Sequence, residues 1–138
     1  MQLLKLVDKG IPLPLASVKN QRSLIYLENL LDAIIACSRH SKAAGRTYLV
    51  SDGTDLSVPE LIVRIASALG KPLLLFPFPI ALLRFSAKIL GKADAVNRLT
   101  DSLTVNSSKI RSELNWTPPF TTEEGLKETA KWYLREFR

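Results

Sequence analysis

Ser57-Val58-Pro59-Glu60 constrains this chain more than any other four residues, because it fixes where a helix starts. The Ser57 hydroxyl can accept from the backbone N–H three residues on, and the Glu60 carboxylate can reach back to the Ser57 N–H. Pro59 fits the first turn, where a missing N–H costs nothing. Gly70 stops that helix after Leu69. Thr121-Thr122-Glu123-Glu124 repeats the signal and opens a last helix to about Arg135, with Leu126, Ala130, Tyr133 and Leu134 facing inward. The same reasoning places helices at 2–9 before Gly10, at Ile80 to Leu90 before Gly91, and over roughly 108–114 behind a Ser107 cap. Residues 28–40 form another, with Leu30, Leu31, Ile34, Ile35 and Cys37 as its core-facing stripe. Ile11-Pro12-Leu13-Pro14-Leu15 is extended, since each proline also disfavours helix in the residue before it. Ser23 to Leu27, Arg46 to Ser51, Pro72 to Phe76 and 103–105 are short extended or strand-like runs, and 92–101 carries no decisive pattern. The expectation is a mixed α/β, helix-rich unit with short strands, spanning 1–138.

Composition narrows the classes of function. A single cysteine, Cys37, allows no internal disulfide, and MQLLKLVDKG is too short and too charged for a secretory signal. Both point to the cytoplasm. The net charge of +6 favours anionic partners, but the bases are scattered and form no block of five, so no nucleic-acid partner is expected. The most apolar run, Leu73 to Leu90, is broken by Pro77, Pro79, Arg84 and Lys88, so no membrane span is expected.

Several chemistries are missing from the sequence. There is no Gly-x-Gly-x-x-Gly loop and no Walker loop, hence no seat for a dinucleotide or a nucleoside triphosphate. One histidine and one cysteine make no metal site by themselves. His40 reads as an exposed helix-end residue and Cys37 as core. No catalytic residue is assigned.

Three constellations remain. Arg22 stands at the entrance to a strand just before a helix, where its fork of donors suits a phosphate; a surface ion pair with Glu28 or Asp32 is the alternative. Arg98 and Asp101, three apart, can share one side of a helical turn and meet a diphosphate and a ribose hydroxyl, or simply pair with each other. The backbone of Leu13 to Leu15 could bind a planar base edge where no sheet uses it, or serve as an edge strand. Trp116, before two prolines, reads as a core anchor.

Four ordered stretches change the weighing. Arg22-Ser23-Leu24-Ile25-Tyr26-Leu27-Glu28-Asn29-Leu30, Tyr48-Leu49-Val50-Ser51-Asp52-Gly53 with Leu56-Ser57, Ser108-Lys109 with Glu113-Leu114-Asn115-Trp116-Thr117-Pro118, and the closing helix after Thr121-Thr122 cover essentially the whole chain. Together they resemble the C-terminal, nucleotide-sugar-binding region of extended short-chain dehydrogenase/reductases, the NAD-dependent epimerase/dehydratase type. Within that group the chain looks most like UDP-sugar 4-epimerases and 4-keto-reductases of surface-polysaccharide pathways. The resemblance implies a small C-terminal lobe without its Rossmann domain, and a UDP-sugar as ligand. It implies NAD(P) in the intact parent, carried on the missing N-terminal half, with none bound here. It also implies that Arg22 and Arg98 approach the diphosphate, that Asp101 approaches the ribose, and that the strand near Leu13 and Leu15 lies beside uracil. The family's Tyr-x-x-x-Lys pair is absent, so the chain alone is expected to be inactive. Asn115 stands where the family commonly has glycine, in a left-handed position that Asn tolerates. A stand-alone nucleotide-sugar or anion-binding module is one alternative. A structural interaction domain is another, with the helix at 80–90 meeting the lost half or a second copy in a homodimer.

Overall fold

The structure is a computed structural model, and it describes residues 2–137. Its elements run α1 (Gln2–Asp8), β1 (Arg22–Ser23), α2 (Leu27–Arg39), β2 (Asp55–Leu56), α3 (Val58–Leu69), α4 (Ile80–Ile89), α5 (Ala93–Thr100), α6 (Ser108–Leu114) and α7 (Thr122–Phe137). No described helix is long and apolar enough to cross a membrane.

Both capping boxes form. Ser57 Oγ accepts from the Glu60 N–H at 3.3 Å, and Glu60 Oε2 accepts from the Ser57 N–H at 2.7 Å. Thr121 and Glu124 exchange the same two bonds at 3.2 and 2.8 Å. Hydrogen bonds from the Ser57 side chain and backbone hold the Glu60 carboxyl below its ordinary range. The backbone and hydroxyl of Thr121 do the same for Glu124. Gly70 ends α3 in the left-handed conformation, and Asn115 does so for α6 at φ 53°.

Helices α1, α3 and α7 enclose the larger core. Leu4, Val7, Ile62, Ile65, Ala130 and Tyr133 meet there, and Ile62 is 0% exposed. Burying a side chain of that size is worth about 1.5–3 kcal/mol. Leu13 and Leu15 join this core, and the segment around Leu13 bridges in parallel to Leu75, uniting the two extended runs. A smaller cluster gathers Ala33, Ile110, Leu114 and Trp116. Trp116 anchors it as expected and donates its indole N–H to Asp32 at 2.8 Å.

Several sequence expectations need correction. Residues 46–51 form no ladder among the described residues. Tyr48 and Val50 pack inward and Leu49 points out, so the alternation of a strand is kept without a neighbour to pair with. The paired strand is instead Asp55–Leu56, antiparallel to Arg22–Ser23. Of the expected run Ser23 to Leu27 only Ser23 is paired strand; 24–26 have no ladder and Leu27 already opens α2. The α2 stripe holds only in part: Cys37 packs on the smaller core and Leu30 is half-buried, but the other three residues face out. Asn29 and Ala33 turn inward, while Leu31, Ile34 and Ile35 are 45%, 55% and 46% exposed. Asn29 tolerates burial because Asp52 Oδ1 and both backbone groups of Phe120 satisfy its amide at 2.7–2.9 Å. Ser107 precedes α6 without capping it; its hydroxyl lies 3.2 Å from that of Ser51. Residues 92–101 mostly become α5.

Candidate anion-binding site

β1 holds Arg22 between two neighbours. On one side it pairs with Leu56; on the other it bridges in parallel to Leu103, through Ser23 N–H to Leu103 O and Leu103 N–H to Gln21 O, both at 2.9 Å. From there the guanidinium reaches the end of α5. Its Nη1 donates to the carbonyl of Arg98 at 2.5 Å and to that of Asp101 at 3.2 Å. Carbonyls in a last helical turn lack intrahelical partners and carry the negative end of the dipole, so a cation settles there. Neither Glu28 nor Asp32 pairs with Arg22; Asp32 is taken by Trp116.

Asn20 supports the same corner from beneath. Its amide donates to Leu99 O at 3.1 Å and Asp101 O at 3.0 Å, and its oxygen accepts the Val58 N–H at 2.9 Å. One buried side chain thus ties the end of α5 to the start of α3.

The result is a shallow cavity of about 350 Å³ bordered by Arg22, Asp94, Asn97, Arg98, Asp101 and Ser102. Three residues singled out in the sequence, Arg22, Arg98 and Asp101, meet in it although 76 positions separate the two arginines. The alternative, an ion pair between Arg98 and Asp101, does not form among the described residues. Asp101 follows the last turn of α5, and its Oδ1 accepts from Arg84 Nη2 at 2.7 Å. Arg84 also reaches Thr100 Oγ1 at 2.9 Å. The carboxylate of Asp101 is therefore partly occupied by α4.

Leu13 and Leu15 do not join this cavity. Both side chains lie in the larger core, and Leu13 donates to Leu74 O at 2.8 Å and accepts from Phe76 N at 3.1 Å. The edge-strand alternative describes Leu13, whereas Leu15 lies in the turn 14–17 rather than in the expected extended run, with its carbonyl accepting from Val18 at 3.1 Å. Arg84, Asn20 and Asn97 were not singled out. Arg84, the first charge after Pro79 in an apolar helix, was the available signal. Asn20, at the end of the polar stretch Ser17 to Asn20, gave none.

A larger hollow of about 690 Å³ lies between the start of α2 and α7, bordered by Tyr26, Leu27 and Trp132 among others. Its cations Lys131 and Arg135 are already paired with Glu128 and Glu136, so it offers an anion less than the arginine corner does. No group of three or more His, Cys, Asp or Glu suited to a metal occurs among the described residues. The residues present do not fit a dinucleotide either. The sheet is a two-stranded antiparallel pair, and the two capped helices begin at Ser57 and Thr121 rather than at a glycine-rich turn.

No family model matches the chain. A UDP-glucose 4-epimerase of Vibrio cholerae is 46% identical over 134 residues, which is 96% of this chain and 41% of that protein. An epimerase structure from Methanothermobacter thermautotrophicus superposes with a TM-score of 0.70 at 19% identity, over 99% of this chain and 37% of the other. A UDP-glucose 4-epimerase from Thermotoga maritima, solved with UDP-glucose, gives 0.63 at 17% identity, over 99% and 39%. The chain thus spans about two-fifths of the length of the relatives it matches.

Proposed function

The chain is related over almost its whole length to the C-terminal part of UDP-glucose 4-epimerase and other extended short-chain dehydrogenase/reductase epimerases and dehydratases, and from that premise we propose that residues 1–138 are a UDP-sugar-binding lobe whose NAD(P) is carried by a half outside them. The observation that supports this most is the convergence of Arg22 and Arg98 on one cavity beside the end of α5. Two guanidinium groups supply several charge-assisted donors for a diphosphate, and such bonds are individually strong. Asp101, shared with Arg84, accepts from a ribose hydroxyl with its remaining capacity. The base lies near the Leu13 to Leu15 segment. Leu13's amide groups are spent there and Leu15 O accepts from Val18, so the Leu15 N–H is the donor we assign to it.

The other half covers the outward face of α2. Leu27, Leu31, Ile34, Ile35 and Leu49 are large, apolar and exposed, and the 46–51 segment beside them has strand alternation without a ladder. A sheet that accepted this segment as an added strand would satisfy its backbone and dry that face. In this reading the lobe serves a cytoplasmic 4-epimerase or reductase of polysaccharide biosynthesis. It holds the sugar while the cofactor half does the oxidation and reduction, and alone it turns nothing over.

Calorimetric titration with UDP and UDP-glucose tests the reading. Arg22→Ala and Arg98→Ala each weaken binding by about tenfold or more, the value of losing a hydrogen bond to a charged group. A chain that releases no heat with UDP, or binds it equally well without both arginines, overturns the proposal. Turnover of UDP-glucose by the chain with NAD would overturn the assignment of the chemistry to the other half.

A further inference from the structure

A second surface stands apart from the arginine cavity and owes nothing to the sugar-nucleotide reading. Helix α4 turns Leu83 toward the larger core and buries Ala87, yet its opposite face is more apolar than the one it hides. Leu82, Phe85 and Ile89, at helical spacing, are 55%, 65% and 71% exposed, and Leu90 at the cap is 70% exposed. Lone apolar residues on a surface are ordinary; three large ones on a single ten-residue helix with a fourth at its cap are not.

Charge decides what this face suits. Between Glu60 and Asp94 the chain has Arg64, Lys71, Arg84, Lys88 and Lys92 and no acidic residue. Glu123, Asp8 and Asp101 pair with the first three. Lys88 and Lys92 have no acidic partner among the described residues, and both are exposed next to the stripe. A second copy docked here by two-fold symmetry would bring these lysines toward their counterparts, where they outnumber Asp94, the exposed acid beside them at the start of α5. An anionic lipid surface reverses that sign. It takes the apolar ridge into the boundary between headgroups and acyl chains, and it attracts the lysines.

We infer that α4 is a peripheral membrane-docking element, which seats Leu82, Phe85 and Ile89 in an anionic bilayer surface with Lys88 and Lys92 at the headgroups. It lies in the interface and spans nothing, consistent with its ten residues.

Sedimentation with vesicles tests this on the full chain. The expected result is binding to phosphatidylglycerol–phosphatidylcholine vesicles that falls with salt and is at least about tenfold weaker on pure phosphatidylcholine. Phe85→Ser with Ile89→Ser, and separately Lys88→Glu with Lys92→Glu, each weaken binding about tenfold or more. All four side chains are exposed, and circular dichroism checks that the variants fold. Ile34→Ser with Ile35→Ser on α2 is the control for nonspecific stickiness and leaves binding unchanged. In a Phe85→Trp variant, emission shifts to the blue on anionic vesicles. Binding insensitive to the α4 substitutions, equal binding to neutral vesicles, or loss only in the α2 control overturns the inference. So does sedimentation velocity showing a dimer that the Phe85→Ser and Ile89→Ser pair dissolves, with no vesicle binding by the original chain.

Discussion

Replacing Asn20 probes the corner on which the candidate site depends. Its amide is 2% exposed and makes three bonds, two donated to the end of α5 and one accepted from the start of α3. Asn20→Ala leaves the N–H of buried Val58 and the carbonyl of Leu99 without these partners, while Asp101 O keeps Arg22. A buried polar group left unsatisfied costs about 1–3 kcal/mol, and the sum here comes to about 3 kcal/mol. In a domain of this size that lowers Tm by roughly 10 °C. Asn20→Asp sharpens the test. It keeps an acceptor for Val58, loses both donors, and points a negative charge at the negative end of α5. It therefore destabilises at least as much at neutral pH. Acid partly restores it, because a protonated carboxyl regains one donor. That aspartate has a raised pKa in the folded state, so its favourable contribution is present below the unfolded value and is lost as pH rises through the folded one. Urea unfolding at neutral and acidic pH measures both effects. A loss under about 1 kcal/mol for Asn20→Ala, or an aspartate variant as stable as the original at pH 7, refutes the network as described.

Further outcomes follow from packing and charge. Gly125→Ala should gain up to about 1 kcal/mol of helix propensity. A Cβ there would sit 2.7 Å from Tyr26 Cβ and Cγ, whose ring packs edge-on against Phe120, so overpacking of about 1–3 kcal/mol wins and Tm falls. A higher Tm would show that Tyr26 moves aside freely. Gly53→Ala destabilises because φ is +89°, and the Arg111 guanidinium, whose Nη2 would lie 2.3 Å from the new Cβ, must swing aside; an unchanged unfolding midpoint would contradict that. Glu60 and Glu124 have lowered pKa values, so their contribution is present above the ordinary carboxylate range and is lost as pH falls through the folded values. Glu60→Gln should flatten the acid side of the Tm–pH curve, and an identical curve would remove the capping box as its cause.

What could be read from the sequence was what local chemistry dictates. The two capping boxes, the Gly70 stop, the left-handed Asn115 and the buried Trp116 each follow from residues within a few positions of one another. Arg22, Arg98 and Asp101 were picked out by type and order, and the fold brings them together. What failed needed a neighbour. The 46–51 run alternates like a strand, but pairing requires a second strand that the described residues do not provide. Hydrophobicity alone places the α2 stripe in the core; that holds for Cys37 but cannot show that Asn29 would find three partners at Asp52 and Phe120 and displace Leu31, Ile34 and Ile35 from the inner face. The partnership of Arg84 with Asp101 joins two helices across a turn, and no local signal encodes it. Leu13 was correctly extended, but the 74–76 run took its amide groups, and Leu15 falls in a turn where its carbonyl accepts from Val18.

The tether on Arg22 has a thermodynamic consequence. A long cationic side chain free in solvent surrenders about 2 kcal/mol of rotamer freedom when it is immobilised. Two carbonyls at the end of α5 already restrain Arg22, so folding has borne much of that loss before any anion arrives. Arg98 is exposed and still has its freedom to give up. The two arginines are thus unequal in kind: one is a fixed post and the other a closing finger, and the heat and entropy of anion binding should divide between them accordingly.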